Sequence, residues 1–129
     1  QIKSIIANAS FVVLPVKENS YSGGTTTLLQ SMAMGKPVLV SQTRAIKNGY
    51  HLENGKNCFF VKPEVERELL STILYMIQHP QQIAEVGNHA RQSILTHLTW
   101  NQYLDKLFAV VSHINAKKRP HDKTFENTV

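Results

Sequence analysis

Apolar positions in this chain come in short blocks that switch between two periods, and the switches mark out its elements. Ile2, Ile5 and Ile6 fall on one face at helical spacing, so residues 1–8 read as the end of a helix. Phe11-Val12-Val13-Leu14 is apolar without alternation and stops at Pro15, the pattern of a strand covered on both faces. A polar, flexible stretch from Lys17 to Gly24 follows. From Thr25 to Met34 the helical period returns, with Leu28, Leu29, Met32 and Ala33 on one face. Gly35 then stops the helix and Pro37 starts a strand, Val38-Leu39-Val40.

A polar connection runs from Ser41 to Asn57, with a turn at Asn54-Gly55. Cys58-Phe59-Phe60-Val61 predicts another short strand. Pro63 opens a helix with Glu64, Glu66 and Glu68 in its first turns, where the helix dipole favours acids. Its apolar face is Val65, Leu69, Leu70, Ile73, Met76 and Ile77. Pro80 starts a further helix with Ile83, Val86, Ala90 and Ile94 inward. Thr99 and Gln102 fit a capping box for a last helix, whose apolar face is Trp100, Tyr103, Leu104, Leu107, Phe108, Val111 and Ile114. Strand, glycine-containing loop, helix, strand is a right-handed βαβ unit. The fold class is therefore α/β, a Rossmann-like parallel sheet of about three strands here, flanked by helices. Residues 1–115 form the folded part, and 116–129 read as a basic, disordered tail.

Composition adds limits. At 129 residues, 42% hydrophobic and 18% charged, the chain reads as one globular domain. No apolar run approaches a membrane span. It opens on Gln1 without an initiator Met or targeting pattern, and reads as a fragment that begins mid-domain. The lone Cys58 leaves a reducing cytoplasm as the default location and reads as a small core residue. Part of the net charge of +5 sits in Lys117, Lys118, Arg119 and Lys123. That cluster reads first as a solvated end and second as peripheral contact with the inner face of an anionic membrane. No basic stripe with interleaved aromatics points to nucleic acid.

The loop after the first strand carries the chemistry. In an open parallel sheet, ligands bind beyond the carboxyl ends of the strands. Residues 22–27, Ser-Gly-Gly-Thr-Thr-Thr, lie there and lead into a helix. Glycines permit close backbone approach, and a helix start offers N–H groups and the positive end of a dipole. A diphosphate suits such a place, although Gly-Gly-Thr-Thr also serves simply as a helix start. No Walker pattern, dinucleotide glycine fingerprint or nucleophile elbow occurs. The six histidines are scattered and show no metal-ligand spacing, so no metal site is expected. Asn8-Ala9-Ser10 matches a glycosylation acceptor but abuts a strand.

These residues carry a resemblance. Phe11–Pro15 followed by Leu28-Leu29-Gln30-Ser31-Met32-Ala33-Met34-Gly35-Lys36-Pro37-Val38 is similar to the donor-domain segment of group 1 (family 4-type) glycosyltransferases. Asn54-Gly55 through Pro63, His79-Pro80, Gly87–Arg91 and Thr99-Trp100 continue it in order. The resemblance implies the C-terminal half of a GT-B donor domain. It also implies transfer of a hexosyl group from a nucleotide-diphosphate sugar to a glycan or lipid-linked acceptor, usually with retention and without a metal or other cofactor. The family's donor loop holds a pair of glutamates, one toward the sugar and one toward the ribose. Aligned on the Met-Ala-Met-Gly-Lys-Pro run, these positions fall on Ser22 and Gln30.

Both positions depart from the family. Gln30 keeps hydrogen-bonding capacity for a ribose diol, whereas Ser22 brings no charge to the sugar. Glu18, four residues earlier, is the alternative carboxylate. Glu18 and Ser22 are thus the catalytic candidates; Gly23, Gly24, Thr25, Thr26 and Thr27 are the diphosphate candidates. The family's upstream glycine-rich loop, its Arg–Lys pair and its acceptor-binding N-terminal domain are expected before Gln1, so the chain alone is expected not to transfer sugar. A sugar-nucleotide epimerase and a non-catalytic scaffold that has lost its site acids are the competing readings.

Overall fold

A computed structural model describes residues 1–21 and 23–117. The chain resolves into two compact units, Gln1–His97 and Leu98–Val129. In the first, helix α1 (Ile2–Asn8) leads to strand β1 (Val12–Leu14) and helix α2 (Thr25–Ala33). Strand β2 (Val38–Ser41), a short helix α3 (Arg44–Lys47) and strand β3 (Phe59–Val61) follow, then helices α4 (Glu66–Gln78) and α5 (Pro80–His97). The strands form one parallel sheet in the order β1-β2-β3. Val12, Val13 and Leu14 face Val38, Leu39 and Val40, and Leu39, Val40 and Ser41 face Phe59, Phe60 and Val61.

Strand alternation divides the core into two layers. Val38 and Val40 point to one face, where they pack with Leu28 and Met32 of α2, Ile46 of α3 and Ala90 of α5. Leu39 points to the other, with Val61, Met76 of α4 and Ile83 of α5. Burying a side chain such as Leu28 or Met32 contributes about 1.5–3 kcal/mol. Helix α5 contributes Ile83 to one layer and Ala90 to the other, so it crosses from face to face. Between them Gly87 meets the Gly35–Pro37 turn, which is why a glycine stands inside this helix. Lys36 extends Nζ to the carbonyl of Ala9, capping the end of α1 at 2.9 Å.

The central strand β2 is buried throughout, as its unbroken apolar run predicts, while β1 is only half-buried. The polar connection contains α3, which the sequence reading does not include. Thr43 caps it by accepting the N–H of Ile46, whose side chain is fully buried. Helix α4 begins at Glu66 rather than at Pro63. Glu64 has φ of 59° and cannot continue a helix. Instead the Glu68 carboxylate accepts the N–H of Lys62 and closes the entry turn. This contact holds the Glu68 carboxyl below its ordinary pKa, with the Lys62 ammonium adding to it. The inward stripe of α4 is the buried Met76 with half-buried Leu69 and Ile73; Leu70 and Ile77 of the predicted face are exposed, as is Val65, which lies before the helix.

In the second unit, α6 (Trp100–Lys117) starts on the predicted capping box. The Gln102 side chain accepts the Thr99 N–H at 2.9 Å, and Thr99 Oγ1 accepts the Gln102 N–H at 3.4 Å. The rings of Trp100 and Tyr103 stack with centroids 5.2 Å apart. The helix runs two residues past the predicted limit of Asn115, to Lys117. Lys118, Arg119 and Lys123 of the basic cluster lie outside the described residues. Among the described residues, no helix is long and apolar enough to cross a membrane.

Candidate donor site at the start of helix α2

The loop from Pro15 to Gly24 leaves the carboxyl end of β1 and delivers the chain to α2. Gly24 is the N-cap of that helix, in the left-handed region at φ 78°, and no side chain caps it. A residue other than glycine is strained in that region. Space is also tight: a Cβ on Gly24 or on Gly23 would come within 3.2 or 3.3 Å of a Val16 methyl, which would have to give by a few tenths of an ångström. The Gly-Gly pair therefore lets the loop fold back onto Val16 before the helix begins.

The first helical hydrogen bond runs from Leu28 N–H to Gly24 O at 3.0 Å. The amides of Thr26 and Thr27 precede it, at the positive end of the helix dipole. Between positions 23 and 36 the exposed residues are Gly24, Thr26 and Gln30; the rest are buried or half-buried. Thr26 and Gln30 lie one turn apart on one face. The solvent side of α2 thus presents Thr26 and Gln30 one turn apart, with the exposed Gly24 turn at the helix start, at the end of the sheet where parallel-sheet ligands bind. The opposite side is fixed: Leu28, Ser31 and Met32 are buried, and Ser31 Oγ donates to Thr27 O at 2.7 Å.

Of the candidates, Gly23, Gly24, Thr25, Thr26, Thr27 and Gln30 are brought together in this way. Ser22 lies outside the described residues. Glu18 lies against α3: its Oε1 accepts the backbone N–H of Arg44 at 3.2 Å and stands 3.8 Å from Arg44 Nε. The loop has further ties. Val16 N–H donates to the buried Ser41 Oγ at 2.9 Å, and Lys17 Nζ stands 3.9 Å from Glu64. A cavity of about 210 Å³ lies beneath these ties, floored by Val16, Val61, Val65 and Leu69.

Spacing along the chain does not reveal what the fold does with the histidines. His51 and His97 stack at 4.5 Å, and with His89 they line a second cavity of about 320 Å³. Asn57, buried beside it, donates to His51 O and Ser93 Oγ and accepts the Glu53 N–H. The left-handed backbone of His51, at φ 53°, is held by this asparagine. Among the described residues, no three His, Cys, Asp or Glu side chains come together where one metal ion would reach them.

Residues 1–79 match the family model "Glycosyl transferases group 1". The chain belongs to that family. No curated protein matches it. Its fold is similar to that of Alr3699/HepE of Anabaena, solved in complex with UDP-glucose, with a TM-score of 0.74 and 18% identity over 87% of this chain and 30% of that one. Sucrose-phosphate synthase (tll1590) from Thermosynechococcus elongatus gives a TM-score of 0.74 at 16% identity, over 88% and 27%. TarM gives 0.70 at 19%, over 82% and 20%. The chain thus spans a fifth to three tenths of the length of these structures. The fold, a three-stranded parallel sheet flanked by helices, is that of part of a GT-B glycosyltransferase.

Proposed function

We propose that this chain supplies part of the donor site of a glycosyltransferase that moves a hexosyl group from a nucleotide-diphosphate sugar to a glycan or lipid-linked acceptor. The observation that carries the reading is the exposed pair Thr26 and Gln30 on α2, behind the exposed Gly24 turn that starts the helix. The amides of Thr26 and Thr27 and the helix dipole stabilise the negative charge that grows on the diphosphate as its bond to the anomeric carbon breaks. Thr25, Thr26 and Thr27 add hydroxyl donors around the same group. One turn on, the Gln30 amide accepts from and donates to the ribose diol. Ser22 falls at the sugar by its place in the family pattern. With backbone amides and upstream cations opposing the diphosphate charge, the transfer proceeds without a metal; retention of the anomeric configuration is what the family resemblance implies. The acceptor is read by another domain of the same cytoplasmic enzyme. HepE, solved with UDP-glucose and with UDP, supports a uridine diphosphate sugar as the first donor to try.

The test uses the intact protein with a panel of nucleotide sugars and calorimetric titration in the presence of EDTA. Binding of a nucleotide-diphosphate sugar that Gln30→Ala weakens, together with release of the nucleotide diphosphate on adding acceptor, supports the proposal. Nuclear magnetic resonance of the product reads the anomeric configuration. Ser22 and Gln30 in place of the family's two acids favour one competing reading, a scaffold that binds without turnover. Donor binding without any transfer or donor hydrolysis selects it.

A further inference from the structure

Three consecutive residues of the donor loop are tied to three different parts of the chain. Val16 N–H is held by Ser41 Oγ at the end of β2. Lys17 faces Glu64 beyond β3, and Glu18 holds the first turn of α3 at Arg44. The ties differ in weight. Lys17 and Glu64 are highly exposed and 3.9 Å apart, a surface pair of little consequence. Ser41 is buried and fixes where the loop begins. Glu18 is the last anchor before the loop turns back, and its side chain is 39% exposed, against 90% for Arg44. Its lasting partner is therefore the Arg44 backbone N–H, a first-turn donor that Thr43, occupied with Ile46, does not serve.

Beyond Glu18 the loop holds itself. Asn19 Nδ2 donates to Lys17 O at 2.7 Å, and Asn19 Oδ1 accepts the Tyr21 N–H at 3.2 Å. Gly23 N–H donates to Tyr21 O at 2.9 Å. Gly23 and Gly24 then rest on Val16, closing the loop on its own first anchor. The Gly23–Gly24 backbone is thus tied back through Tyr21 and Asn19 to Lys17 and Val16, the two residues that directly precede the Glu18 anchor.

We infer that Glu18 is a positioning residue of the donor loop: its carboxylate holds the loop against α3 and acts on the donor only through the backbone of Gly23, Gly24 and Thr25. This rests on the donor-site reading above. It differs from a direct role at the sugar, in which the negative charge itself is needed. The operative part of the contact is an acceptor oxygen for an amide N–H, and glutamine has one.

The experiment compares Glu18→Gln, Glu18→Ala and Arg44→Ala in the intact protein by donor KM and kcat, and by amide hydrogen exchange over residues 23–27. Glu18→Gln is expected to keep kcat and donor KM within about threefold, because the neutral amide oxygen still accepts the Arg44 N–H. Glu18→Ala is expected to raise donor KM about tenfold, with a smaller change in kcat, and to speed exchange at residues 23–27. Arg44→Ala keeps the backbone donor and is expected to stay within about twofold of the parent. A kcat loss of about a hundredfold or more in Glu18→Gln, equal to that in Glu18→Ala, overturns the inference and makes Glu18 a catalytic carboxylate. Unchanged KM and unchanged exchange in Glu18→Ala overturn it as well. If the parent protein neither binds nor turns over a nucleotide sugar, the donor-site reading fails, and the exchange measurement alone still decides whether Glu18 positions the loop.

Discussion

A Cβ on Gly87 would lie 2.2 Å from the carbonyl oxygen of Gly35, so α5 and the turn after α2 meet backbone against backbone. Pro37 closes the same contact, its Cδ and N each 3.0 Å from that Cβ position. The crossing places Ile83 in one core layer and Ala90 in the other. In a solvent-exposed helix, Gly→Ala stabilises by about 1 kcal/mol. Here the obstacle is a backbone oxygen and a ring, neither of which can rotate away. Overpacking of about 1–3 kcal/mol or more therefore wins. Gly87→Ala is expected to lower the denaturant midpoint with little change in its slope. A variant as stable as the parent would show that the two segments separate freely.

Gly24 combines a left-handed φ of 78° with a Cβ position 3.2 Å from Val16. Alanine there costs about 1–2 kcal/mol from the backbone alone. The strain falls on the turn that aims the Thr26 and Thr27 amides. Gly24→Ala is expected to weaken donor binding about tenfold or more, and Gly24→Asn less, since asparagine tolerates that region better. Calorimetric titration of the intact protein with a nucleotide-diphosphate sugar checks both. Equal affinities for all three proteins would remove the turn from the site.

Gln30 is exposed on the solvent side of α2, so its replacement separates binding from stability. Gln30→Ala is expected to raise donor KM about tenfold while changing stability by less than about 0.5 kcal/mol. Gln30→Glu restores a stronger acceptor for a ribose diol and is expected to bind the donor at least as well as the parent. A lower affinity for the glutamate variant than for alanine would mean that the position faces the diphosphate rather than the ribose.

Much of the fold was legible because its strands and long helices carry strong periods. Val38–Val40 had to be a covered strand, and Ile83, Val86 and Ala90 had to face inward, whatever packed on them. What escaped depended on tertiary contact. Helix α3 has a single buried side chain, Ile46, too little to register as a period in a polar stretch. Pro63 looked like a helix start, but the Lys62–Glu68 contact closes a turn around Glu64 and delays the helix to Glu66. Leu70 and Ile77 share a wide apolar arc with Met76, yet the sheet covers only the part with Leu69, Ile73 and Met76. For the site, the glycines, threonines and Gln30 could be placed from order alone, since a helix start after a strand is a local matter. The partner of Glu18 could not, because Arg44 comes from another strand's loop. The stack of His51 on His97 escaped for the same reason.

Cys58 gives a prediction on alkaline stability. The thiol is fully buried immediately before β3, and its Sγ lies 3.7 Å from Glu53 O. Burial, with the negative charge of Glu53 added, pushes its pKa up from 9.0 to about 12. The native state therefore holds the thiol proton over a range where the unfolded chain has lost it. Between about pH 9 and 12 the unfolded state binds fewer protons, so stability falls as pH rises, and below about 9 this contribution is fully present. Cys58→Ala removes the group and is expected to flatten that part of the alkaline limb, although the lost packing lowers stability at neutral pH. Parallel denaturation curves at pH 7, 9 and 10 measure the difference. Iodoacetamide gives an independent reading, since the thiolate is the reacting species. Labelling of Cys58 at pH 8 is expected to be slow in the native protein and fast in denaturant. Rapid native labelling would mean that β3 opens readily, and the alkaline slope assigned to the thiol would then vanish with it.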